Sequence, residues 1–162
     1  MIRAATQSDG PALLGILNHW IERSTVTFNP VPKTQADIAA MIEDKSRAGH
    51  ALVVAEVAGV IVGYATYGQF RGGAGYARAM EHSIALAPDQ RGHGRGRALL
   101  AAVEDHARAG GAHAMLAGIS GENTEAQAFH AANGYAQVAV VPQVGWKFGR
   151  WLDLVLMQKF LD

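Results

Sequence analysis

The run DQRGHGRGRALL, from Asp89 to Leu100, constrains the fold more than any other stretch of the chain. Upstream, EHSIALA alternates in the way a strand does, and Pro88 ends it. Downstream, Leu99, Leu100, Val103 and Ala107 fall on one side of a helix that ends near Gly110-Gly111. A glycine-rich turn between strand and helix presents unpaired amides at the positive end of a helix dipole, which suits phosphate. Arg91, Arg95 and Arg97 add cationic donors. A nucleoside-triphosphate P-loop is excluded, because no GK[ST] follows at the required spacing. A dinucleotide fingerprint has Gly92 and Gly94 in place but Arg97 where its third glycine belongs. It would also open the first βαβ unit instead of following three strands. On the residues alone, a glycine turn with solvated arginines stays open beside the phosphate reading.

The rest of the chain predicts a mixed order of elements. IRAA reads as a strand; a helix follows with Ser8 or Asp9 as cap, Pro11 in its first turn, and Leu13, Leu14, Leu17 and Ile21 at helical spacing. After the loop TVTFNPVPK, Thr34 with Asp37 resembles a capping box for a second helix carrying Ile38, Met41 and Ile42. HALVVAEVAGVIVGYATYG reads as two strands turning at Ala58-Gly59. Beyond the central helix come a strand HAMLAGI, a short helix NTEAQAFHAANG capped by Gly134, a strand YAQVAVV and a last strand WLDLVLMQKFL. This order predicts a single α/β (α+β) domain over residues 1–162.

Charge is balanced, with 14 basic and 14 acidic residues, so nucleic-acid binding through a basic field is not expected. There are no cysteines, hence no disulfide framework and no thiolate nucleophile. The seven histidines show no HExxH or similar spacing, and no metal is expected. No run reaches signal-peptide or membrane-span length, so a cytoplasmic protein with no membrane partner is expected.

Arg91-Gly92-His93-Gly94-Arg95-Gly96 fits the [Q/R]xxG-x-[G/A] signature of the GNAT superfamily of N-acetyltransferases, and the element order resembles that fold along nearly the whole chain. The resemblance implies a central mixed, mostly antiparallel sheet flanked by helices, with acetyl-CoA as co-substrate. It further implies that Arg91, Gly92, His93, Gly94, Arg95, Gly96 and Arg97 wrap the pyrophosphate. Ile84, Ala85 and Leu86 would pair with the pantetheine arm, and Asn123, most simply a helix cap, would contact coenzyme A. STVTF, YGQFR, EHS and VGWKFGRWLDLVLMQ resemble one branch, the phosphinothricin and methionine sulfoximine acetyltransferases. That implies a small amino-acid-like amine as acceptor, a link to herbicide or antibiotic resistance, and a homodimer.

Glu81 is an awkward charge for a central strand, and an edge-facing or salt-bridged residue is the plain alternative to a functional one. A strand rise of roughly 3.3 Å per residue puts it about 20 Å from the glycine loop, a span a pantetheine arm covers. Acetyl transfer needs a neutral amine, so Glu81 is assigned as the base, direct or through water. His130 is the second catalytic candidate, expected to face the cleft while Phe129 points into the core. Many family members have a tyrosine at this point; histidine is a feature of the resembled branch. An acceptor carboxylate needs a cation: Arg71 is the first choice and Arg78 the second, with Phe28, Ala74, Gly75 and Tyr76 as pocket residues implied by the resemblance. Lys147, Trp151 and Asp153 serve either that pocket or a dimer contact.

Overall fold

The computed structural model describes residues 1–162. Its strands are β1 (Ile2–Ala4), β2 (Leu52–Val57), β3 (Val60–Gln69), β4 (Ala79–Leu86), β5 (Ala114–Ser120), β6 (Ala136–Lys147) and β7 (Arg150–Phe160). Its helices are α1 (Gly10–Arg23), α2 (Gln35–Ala48), α3 (Arg95–Ala109) and α4 (Thr124–Ala132). All strands join one sheet in the order β1-β2-β3-β4-β5-β7-β6. Only β4 and β5 run parallel; every other pair is antiparallel. The expected mixed, mostly antiparallel sheet flanked by helices is the one observed.

Each face of the sheet carries its own core. Leu99, Leu100, Val103 and Ala107 of α3 pack with Ala65, Tyr67, Met115 and Met157 on one side. Leu13 and Ile16 of α1 and Ile38 of α2 cover Leu52, Val54 and Tyr64 on the other. Burial of each large apolar side chain contributes roughly 1.5–3 kcal/mol. The caps follow from the sequence: Thr34 accepts from the Asp37 amide at 3.2 Å, while the Asp37 carboxylate accepts from the Thr34 amide at 2.8 Å. Asp9 stands at the N-cap position of α1 without a side-chain capping bond, its carboxylate accepting instead from Arg3 and the Thr6 amide, and Ala58 (φ 49) with Gly59 (φ 80) makes the turn between β2 and β3.

Two elements differ from expectation. The strand beginning near Tyr135 does not stop at Val141 but continues through Pro142 to Lys147. As the edge strand, β6 tolerates a proline there, and register shifts between Gln137/Ala139 and Val141/Gly145 absorb the irregularity. It then turns at Phe148-Gly149 into β7. The short helix α4 is closed by Asn133, with Gly134 (φ 92) just beyond it.

Candidate active site

The parallel pairing of β4 with β5 ends at His82↔Ala117. Beyond that point Ser83, Ile84 and Ala85 on one strand and Gly118, Ile119 and Ser120 on the other line a cavity of about 470 Å³. Bonds from Ala87 N–H to the Val62 carbonyl and from Phe70 N–H to the Ala79 carbonyl set the phase of the β3–β4 ladder. In that phase the odd-numbered residues of β4 bond to β3, so the amide and carbonyl of Ile84 face the gap. Trp20 of α1 fixes the end of β4 by donating its indole N–H to the Leu86 carbonyl at 2.8 Å.

A second cavity, about 510 Å³, adjoins the first and shares Trp20, Ile84, Ala85, Asn123 and His130 with it. Arg91, Gly92, Gly94, Arg95, Gly96 and Arg97 line it, together with Leu86; His93 does not. Gly92 (φ 80) and Gly94 (φ 74) turn the chain into α3 through left-handed conformations. The amides of residues 91–97 donate to no acceptor in the protein, which leaves an anion cradle at a helix N-terminus. A Cβ on Gly96 would stand 3.4 Å from the Phe129 ring, so a bare backbone lets α3 and α4 approach here. Arg91 lies 5.2 Å over the Trp20 ring and is ion-paired with Glu125. Arg95 donates to Gln90 at 2.8 Å. Asn123 caps α4 by accepting from the Ala126 amide at 3.1 Å.

At the other end, Glu81 shares a face of β4 with Ser83 and Ala85, as the alternation predicts. It does not line either cavity directly. Its carboxylate reaches over Gly118, which lines the first: Oε2 is 2.9 Å from where a Cβ on Gly118 would stand. No ion pair holds Glu81, and burial pushes its carboxyl above the ordinary carboxylate value.

His130 lines both cavities although it is only 3% exposed, and Phe129, half-buried against the core, lines the second as well. Helix α4 packs against β5 and β6, which turns position 130 toward the sheet. His130 Nδ1 lies 2.7 Å from the Ala126 carbonyl, which only accepts, so Nδ1 carries the proton. In the neutral ring Nε2 then accepts from His82 Nε2–H at 3.1 Å. That leaves His82 Nδ1 buried without a partner. Burial lowers both rings, His82 to about 3 with a contribution from His130.

Arg71, Ala74, Gly75, Tyr76 and Arg78 lie in the exposed β3–β4 connection, outside both cavities. The one lysine or arginine lining the first cavity is Lys33. Tyr64 and Trp20 also line it, and burial pushes the Tyr64 hydroxyl up to about 12, so it stays protonated. No local pattern marks Lys33 or Tyr64 in the sequence; a proline-rich loop and a core strand bring them there. Phe28 does line the first cavity. Lys147 stands behind it, donating to the carbonyls of Ser24 and Thr27. Asp153 accepts from the Gln143 amide at 2.9 Å, inside the β6–β7 region. Trp151 is exposed and packs edge-on against Trp146 at 4.7 Å. No group of three or more His, Asp or Glu converges as a metal site would need, and no helix is long and apolar enough to cross a membrane.

The profile of the acetyltransferase (GNAT) family matches residues 15–135. The L-methionine sulfoximine/L-methionine sulfone acetyltransferase of Pseudomonas aeruginosa is 40% identical, over 99% of this chain and 94% of the relative. The crystal structure of ribosomal-protein-alanine N-acetyltransferase from Brucella melitensis superposes with a TM-score of 0.96 at 40% identity, covering 99% of both chains. A GNAT superfamily phosphinothricin acetyltransferase from Sinorhizobium meliloti, in complex with acetyl-CoA, superposes with a TM-score of 0.94 at 31% identity, over 99% of this chain and 87% of that one. The chain therefore belongs to the GNAT family and is an N-acetyltransferase.

Proposed function

We propose that the protein acetylates the α-amine of a small amino-acid analogue of the methionine sulfoximine, methionine sulfone or phosphinothricin type, using acetyl-CoA. The observation that carries this reading is the pair of adjoining cavities along the splayed β4–β5 edge. One ends in the amides of residues 91–97, the other beside Glu81. The likeness to the Pseudomonas and Sinorhizobium enzymes supports the acceptor class.

Bound acetyl-CoA supplies the acetyl group as a thioester. Residues 91–97 suit its pyrophosphate through unpaired amides, with Arg91, Arg95 and Arg97 adding charge. The Ile84 carbonyl, free of a strand partner, suits an N–H of the arm, and the Ile84 N–H suits either a carbonyl of the arm or the oxygen that gains negative charge. Glu81 takes the proton from the acceptor amine, directly or through water; its raised affinity for protons suits a base. His130 Nε2 carries no proton at rest, so it serves the leaving thiolate only by first taking up a proton released from the acceptor amine and then passing it to the sulfur. Lys33, at the rim of the first cavity, pairs with the acceptor carboxylate.

A second reading, transfer to an N-terminal alanine of a protein, is favoured by the likeness to the Brucella enzyme. Thiol release from acetyl-CoA, measured with methionine sulfone, methionine sulfoximine, phosphinothricin and an Ala-initiated peptide, separates the two. Turnover on the amino-acid analogues and none on the peptide is expected; the reverse overturns the acceptor class.

A further inference from the structure

The wall of the first cavity formed by Val26, Thr27, Phe28 and Asn29 has little backbone structure of its own. None of the amides of residues 25–33 donates to a backbone carbonyl. The loop is shaped instead by side chains, and the strongest of these come from the far end of the chain. Lys147 is 1% exposed, and its ammonium donates to the Ser24 carbonyl at 2.6 Å and the Thr27 carbonyl at 2.9 Å. No carboxylate pairs with it; the Phe148 ring lies 5.1 Å away. A buried ammonium is costly unless its donors are used, and here they are used on one turn of the loop.

Two further ties run in parallel. The Phe28 ring lies against Gly145 so closely that a Cβ there would be 2.6 Å from Phe28 Cδ2. Thr25 donates to Glu122 at 2.8 Å, and Glu122 also accepts two bonds from Arg150, at 2.9 and 2.7 Å. Gly145, Lys147 and Arg150 thus reach from the β6–β7 hairpin to residues 24–28.

We propose that Lys147 is a positioning residue for the acceptor: from behind the wall it locks residues 24–29 in the shape that closes the acceptor end of the cavity. This rests on reading that cavity as the acceptor site. Loss of the ammonium frees two carbonyls and the turn that carries Phe28. The effect falls mainly on the acceptor, because among residues 24–29 Val26 alone also lines the second cavity.

The test uses full-length Lys147→Met and Gly145→Ala, the second acting on Phe28 without touching a charge. Chymotryptic cleavage of the native protein after Phe28 should speed up about 10-fold or more in Lys147→Met. In both variants KM for the acceptor used by the wild type should rise by about 10-fold, with acetyl-CoA affinity within about twofold of wild type. Unchanged cleavage, or faster cleavage with unchanged acceptor KM, overturns the proposal; the latter is the signature of a merely structural lysine. If Lys147→Met does not fold, Gly145→Ala decides it on KM. If the wild type acetylates none of the analogues, the proposed acceptor fails, while the cleavage measurement still decides whether Lys147 holds the loop.

Discussion

Glu81 lays its carboxylate over Gly118, with Oε2 2.9 Å from the point a Cβ on residue 118 would occupy. The bare backbone of Gly118 therefore permits the position of Glu81 at the cavity wall. Glu81→Gln should lower kcat by about 100-fold or more, the range of a lost general base, and leave acetyl-CoA affinity unchanged. Gly118→Ala should displace the carboxylate and act in the same direction. Because burial raises the Glu81 pKa and the base must be ionised, the acid limb of kcat/KM should lie above the ordinary 4.5. Steady-state kinetics across pH 4–8 check this, and an unchanged rate in Glu81→Gln removes the base role.

Lys33 lines the first cavity, whereas Arg71 does not. A charge-assisted bond lost from an acceptor carboxylate costs roughly 1.5–3 kcal/mol. Lys33→Ala should accordingly raise acceptor KM by about 10-fold to 100-fold, and Arg71→Ala should leave it nearly unchanged. The opposite ranking would return the carboxylate to Arg71.

Arg91 is held by Glu125, and both line the second cavity. A phosphate arriving there must compete with that carboxylate and meets its repulsion. Glu125→Gln should tighten acetyl-CoA binding several-fold at low salt, with the gain shrinking as salt is added. Arg91→Ala should weaken it. Calorimetric titration gives both, and weaker binding in Glu125→Gln contradicts the account.

The His82–His130 pair makes stability pH-dependent. Both rings are held below the ordinary histidine value, His82 at about 3. The unfolded chain takes up protons below about pH 6.5 while the folded pair resists them. Stability is therefore present above about pH 6.5 and falls as pH drops, by up to about 1.4 kcal/mol per unit for each histidine. Denaturant titrations at pH 7, 6 and 5 should show this fall, with a shallower slope in His82→Leu. An identical slope in the variant would assign it to other groups.

The glycine–arginine loop, the caps at Thr34 and Asn123 and the alternation along β4 could be read from the sequence because each is local. They depend on residues within a few positions of one another. What could not be read is set by contacts across the chain. The gap at Ile84 exists because β5 parts from β4, and Lys147 finds its acceptors more than a hundred residues upstream. His130 lines both cavities as expected, but its contact with His82, 48 residues upstream, could not be read from the periodicity of a nine-residue helix. Lys33 enters the cavity from a loop whose path depends on Asn18, which bonds the amide of Lys33 at 2.7 Å and its carbonyl at 3.0 Å.

On the function proposed above, the two adjoining cavities form one groove that joins an acetyl-CoA cradle to an acceptor site for small amino-acid analogues. Thiol release from acetyl-CoA in the presence of methionine sulfone, methionine sulfoximine or phosphinothricin tests it most directly. Acceptor-dependent release is expected, with N-acetylated analogue formed in equal amount and both lost in Glu81→Gln. Tight acetyl-CoA binding with no acceptor-dependent release from any of the three would contradict it.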